Sequence, residues 1–181
     1  MLDILIKETT GNEIKCRALL EINGKIAERE TVFFGELSNS KLARAKSKGH
    51  IAGIIGGTLK SNAFACNAKN CDFLLLPCIS EKKSLDYETA KKAKENSVAI
   101  AYFISEIAGL KQHELAFALS GMKSVLKLAG KTGVPVYFLS GMGKRPWNER
   151  MAFPLLAGTD IGEANANAAL CIEHSRGMAD A

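Results

Sequence analysis

The chain has 181 residues, 47% apolar and 24% charged, which excludes disorder and leaves room for one core, so a single domain over 1–181 is expected. Its longest apolar runs, 73–76 and 98–104, fall far short of the about 20 residues that span a membrane, and no basic, apolar leader opens it, so a soluble cytoplasmic protein is expected. The net charge is +5, and the five cysteines (Cys16, Cys66, Cys71, Cys78 and Cys171) include no CxxC pair, which argues against a disulfide framework.

Six short runs read as buried strands: 2–6, 31–34, 51–55, 73–77, 99–103 and 135–139. Each is apolar without alternation, as expected where both faces are covered. Between them lie helical patterns. Residues 37–47 form a basic amphipathic stretch closing at Lys48-Gly49, a cationic, glycine-terminated end suited to a helix C-terminus. Ser84 is placed to cap a helix over 85–96, with Asp86 and Glu88 at its positive end and Lys91, Lys92 and Lys94 at its negative end. The clearest helix is 114–129, where Leu115, Leu119, Met122, Leu126 and Ala129 make one apolar stripe and Gly130 or Gly133 closes it. Strand and helix alternate with short connections, so the expected fold is α/β with a parallel sheet and right-handed crossovers, either open and doubly wound or a compact or incomplete barrel. Residues 12–30, and the strands after Leu139, stay open.

Charge is segregated along the chain. Six basic residues and no acid lie between Glu36 and Asp72, and five and no acid between Glu114 and Glu149; outside these windows 13 basic face 19 acidic residues. A polyanion touching both windows meets a stronger field than the net charge suggests, and nucleic acid is the commonest such partner. Solvated helix faces are the plainer alternative. Lys123, Lys127 and Lys131 recur every fourth residue and line one stripe opposite the apolar seam, facing either RNA or water.

No hydrolytic constellation is visible. His50, His113 and His174 are isolated, without HxH or HExxH spacing, and Cys66, Cys71 and Cys78 read as buried small residues rather than ligands. Few acids sit at the strand C-termini, where a parallel α/β fold gathers its catalytic groups. The loops there are small and basic: Gly56-Gly57-Thr58-Leu59-Lys60, Ser80-Glu81-Lys82-Lys83-Ser84, and Ser140-Gly141-Met142-Gly143-Lys144-Arg145-Pro146-Trp147. They suit holding phosphate better than cutting it. Gly141-Met142-Gly143-Lys144 lacks phosphate-loop spacing, and Gly56-Gly57 lacks that of a dinucleotide fingerprint. Lys144, Arg145 and Arg150 beside Trp147 join cations to an aromatic that either stacks on a base or packs under the loop.

Beyond these features, the chain resembles a known family. His50-Ile51, Gly56-Gly57, Leu59-Lys60, Asn62, Asp72-Phe73-Leu74-Leu75, Pro77, Leu85-Asp86, Ala90 and Val98-Ala99-Ile100 fall in the order and spacing of the ribonuclease P protein component 3 family. The likeness continues through Leu128-Ala129, Val134-Pro135-Val136 and Ser140-Gly141 to Trp147, Glu149 and Arg150, covering roughly 50–170. The resemblance implies a (β/α) barrel of the phosphoesterase type. It implies a protein subunit of RNase P, an endoribonuclease whose RNA removes the 5′ leader of precursor tRNA and carries the catalytic Mg2+. The chain itself is then noncatalytic, holds no cofactor, and pairs with RNase P RNA and a small RRM-like Pop-family subunit. RNA contact is expected at Lys60, Lys82, Lys83, Lys144, Arg145, Trp147 and Arg150, with Lys123 and Lys127 added from the helix stripe. Two other readings remain at this point: a small metal-dependent phosphoesterase of the related barrel, and an α/β module that only mediates assembly.

Overall fold

A computed structural model describes residues 2–22, 25–79, 85–107, 109–139 and 161–180. The chain opens with three long strands, β1 (Leu2–Thr10), β2 (Glu13–Ile22) and β3 (Lys25–Phe34), paired antiparallel in sequence. This corrects the expected strand–helix alternation at the start of the fold. The stretch left open, 12–30, supplies β2 and most of β3. Along β2, Cys16, Ala18 and Leu20 are fully buried while Lys15, Arg17 and Leu19 are not. That period-two pattern marks a strand with one face on the core.

After β3 the sheet turns parallel. β4 (Ile51–Ile55), β5 (Phe73–Leu75), β6 (Ala99–Phe103) and β7 (Val136–Leu139) add one by one, so spatial order equals sequence order. The crossovers are α1 (Asn39–Ser47), α2 (Leu59–Asn67), α3 (Tyr87–Glu95) and α4 (Gln112–Thr132), the last preceded by a 3-10 turn at Ile104–Ile107. A fifth helix, α5 (Ile161–Asp180), follows. β1 and β7 approach each other at the ends of the strand order. The sheet is therefore curled into a half-barrel.

Two cores result. On the convex face, Ile54, Leu74, Leu76, Ile100 and Val136 pack under Leu42, Ala90, Met122 and Ala129 of the helices. On the concave face, Phe33, Phe73, Leu75, Phe103, Tyr137 and Leu139 gather with Met178 of α5. Successive residues of β6 and β7 alternate between the two, which is why those strands are uniformly apolar. The concave core is largely aromatic: the Phe73 ring lies 6.2 Å from Phe33 and 5.2 Å from Tyr137. Gly53 makes room for it, since a Cβ there would lie 2.6 Å from Phe33 Cδ1.

Helix ends follow local chemistry. Ser38 caps α1, and Gly133, in the left-handed region at φ +76°, closes α4 with its N–H on Ala129 O at 2.7 Å. Asp86, not the expected Ser84, caps α3: its carboxylate accepts the Thr89 N–H at 2.7 Å, which lowers its pKa. Ser84 lies outside the described residues.

Candidate nucleic-acid interface

The parallel strands deliver their loops to one edge, and the β4–α2 loop shows how it is built. Gly56 N–H donates to Leu75 O at 2.7 Å, and Gly57 N–H donates to Asn62 Oδ1 at 2.9 Å. Gly57 sits at φ +112°, a backbone conformation that L side chains rarely adopt. Thr58 then caps α2 reciprocally with Ser61: Ser61 N–H reaches Thr58 Oγ1 and Thr58 N–H reaches Ser61 Oγ, both at 3.1 Å. The tight entry holds Lys60 exposed in the first helical turn, and it makes no ion pair among the described residues. A cation at the positive end of a helix dipole is relieved by an anion. The same rim carries exposed Leu59, Ile79, Tyr87 and Phe117, which the sequence reading passed over, and the acids Asp86, Glu88, Glu106 and Glu114.

Of the nine residues expected at the site, Lys60, Lys123 and Lys127 are described, and Lys82, Lys83, Lys144, Arg145, Trp147 and Arg150 lie outside the described residues. The three described lysines do not form one cluster. Lys127 is about 22 Å along α4 from its start at the C-terminal edge, and α3 packs against both α2 and α4. On α4 the stripe does face outward: Lys127 and Lys131 are exposed and Lys123 partly so, opposite buried Ala118, Met122, Val125 and Ala129.

The N-terminal edge holds a cavity of about 280 Å³ lined by Lys46, Asp72, Lys94, Glu173 and His174 among others. Lys46 Nζ lies 2.9 and 3.1 Å from the Asp72 oxygens, and Asp72 Oδ2 also accepts the Ala52 N–H at 2.9 Å. His174 Nε2 donates to Ser97 O at 3.0 Å, fixing the carbonyl of a non-glycine residue at φ +56°. Its Nδ1 lies 3.0 Å from the Tyr137 hydroxyl, which also meets Cys171 O at 2.6 Å and Ser175 Oγ at 2.9 Å. Burial lowers the His174 pKa and raises that of Tyr137 well above its ordinary value, so the imidazole is neutral and the phenol keeps its proton. The Asn167 carboxamide pairs with both the N–H and the C=O of Val136, at 2.9 and 2.8 Å, as a neighbouring strand would. These groups are committed to holding α5 on β7. The signal was present in the sequence: Asn167, Cys171, His174, Ser175 and Met178 recur at helical spacing.

Burial pushes all five thiols up to about 12, so they stay protonated at neutral pH. Among the described residues, no three His, Cys, Asp or Glu side chains converge as a metal site. No described helix is long and apolar enough to cross a membrane.

No protein-family model matches the chain. Three curated archaeal proteins named ribonuclease P protein component 3 do. That of Methanococcoides burtonii is 29% identical over 127 residues, 68% of this chain and 53% of the relative. That of Methanocaldococcus jannaschii is 34% identical over 97 residues, 53% of this chain and 42% of the relative, and that of Methanothermobacter thermautotrophicus is 28% identical over 96. A chain in the cryo-EM structure of archaeal ribonuclease P with mature tRNA superposes with a TM-score of 0.65 and 25% identity, covering 77% of this chain and 62% of that one. The chain thus spans about half the length of the curated relatives it matches.

Proposed function

We propose that the chain, similar over about half the length of ribonuclease P protein component 3 relatives, is a member of that family and a noncatalytic protein subunit of RNase P that supports the RNA in removing the 5′ leader of precursor tRNA. The observation that carries this is the agreement of sequence and fold on one assembly: the relatives and the superposing chain both point to RNase P. The described residues add outward-facing cations on α4. In this proposal the RNA carries the catalytic Mg2+, and the lysines of this chain neutralise crowded phosphates so that the folded RNA is favoured.

In this reading Lys60, Lys123 and Lys127 contact RNA, as do Lys82, Lys83, Lys144, Arg145, Trp147 and Arg150. The half-barrel is an incomplete barrel of the phosphoesterase type forming one domain over 1–181, and the protein works in the cytoplasm beside a small RRM-like Pop-family subunit. Reconstitution tests the proposal. Full-length protein added to RNase P RNA and the remaining subunits from the same source should raise 5′-leader cleavage at limiting Mg2+, and the protein alone should cleave nothing. Cleavage unchanged by the protein, or cleavage by the protein without RNA, would overturn it.

A further inference from the structure

We infer that the outward face of α4, with the groove it forms against α5, is the track on which the RNA phosphate backbone docks. The inference rests on the RNase P reading and locates its RNA contact. Charge is the first observation. No acid occurs between Glu114 and Glu149, so beyond its first turn α4 carries only Lys123, Lys127 and Lys131 as charged groups, and none of them is ion-paired among the described residues. Their spacing sets a positive charge about every 6 Å along the helix. Such a row repels itself until a polyanion relieves it.

Shape is the second. Beyond exposed Phe117, the outward face of α4 is Ser120, Gly121, Ser124 and Gly130 with the lysines, hydroxyls or nothing where bulky side chains would stand. A Cβ at Gly121 or Gly130 would meet nothing within 4 Å. Glycine inside a helix costs stability relative to alanine, and no described neighbour needs the missing atom. What it provides is room for a backbone to approach from outside. Third, a groove of about 790 Å³ opens between α4 and α5, with Lys127, Gly130 and Lys131 on one wall and Glu163, Ala166 and Leu170 on the other. Among the described residues lining it, Glu163 is the one acid. Among the described residues, the C-terminal rim sets Lys60 and Lys111 beside four carboxylates and exposed apolar groups, a more mixed surface than the α4 face. An acidic protein segment would meet the same lysines, but Ser124 and Gly130 between them give it little apolar surface to bury, and exposed Phe117 stands more than a turn nearer the start of the helix.

Filter binding of in vitro transcribed RNase P RNA to the full-length protein, over a series of salt concentrations, tests this. Lys123→Glu/Lys127→Glu/Lys131→Glu reverses the charge of the row; Gly121→Leu/Gly130→Leu fills the approach while favouring the helix. Each should weaken RNA binding about tenfold or more with an unchanged circular dichroism spectrum, and the lysine variant should lower the salt slope by about 0.7 to 0.9 per lost contact. Lys48→Glu/Lys69→Glu, exposed elsewhere, should bind within about twofold of wild type. Wild-type affinity and slope in the lysine variant would overturn the inference and leave the RNase P reading standing, as would loss of a protein partner with RNA affinity intact. Failure of the wild-type chain to bind the RNA at all would sink both.

Discussion

Tyr137 shows how much one side chain decides. Its hydroxyl meets a backbone carbonyl, an imidazole and a serine of α5, so Tyr137→Phe leaves His174 Nδ1 and Ser175 Oγ short of a partner in a buried place. The expected loss is about 1–3 kcal/mol, read from urea denaturation. His174 adds a pH dependence whose sign follows from its lowered pKa. The unfolded chain takes up the proton first, so this stabilisation is complete above an unfolded pKa of about 6.5 and is lost as pH falls through the folded value. The urea midpoint should therefore fall between about pH 7 and pH 5, and His174→Gln should flatten that slope. Neither role was legible in advance. His174 reads as an isolated histidine, because its partners at Tyr137 and Ser97 come from distant parts of the chain.

Elements were legible where their signals are local. Ile51–Ile55, Ala99–Phe103 and the body of α4 follow directly from apolar runs and period, and Gly133 ends α4 as expected. The cap of α3 went to Asp86 instead of Ser84. Asp86→Ala should cost about 0.5–2 kcal/mol, measured as a lower thermal midpoint. β2 escaped because its charged outer residues mask a strand whose inner residues alone are buried. α5 was missed as well, although its stripe lies in the sequence. On α5, Asn167→Ala removes both bonds to Val136 and leaves the β7 edge without them. Faster amide exchange at Val136 should follow, with β4 and β5 unaffected; unchanged exchange would mean that the latch is not what protects this edge.

At the scale of the molecule, the concave core joins β2, β3, β5, β6, β7 and α5 through a few large side chains. Phe73→Ala should cost about 3–5 kcal/mol, and Gly53→Val, which drives a side chain into the Phe33 ring, about 1–3 kcal/mol, both read from denaturant midpoints. A Gly53→Val protein as stable as wild type would show that the ring has somewhere else to go. The likeness to ribonuclease P protein component 3, the parallel strands and the outward lysine stripe of α4 were all set by residues near one another in the chain, since period, spacing and short motifs are local properties. The antiparallel start is also local, since β1, β2 and β3 pair with their chain neighbours, Thr10 with Glu13 and Ile22 with Lys25. Tertiary structure alone decided that the sheet curls, that Lys60 stands apart from Lys127, and that α5 latches the last strand. Each of those depends on which distant surfaces find one another to bury, and no local pattern encodes that choice.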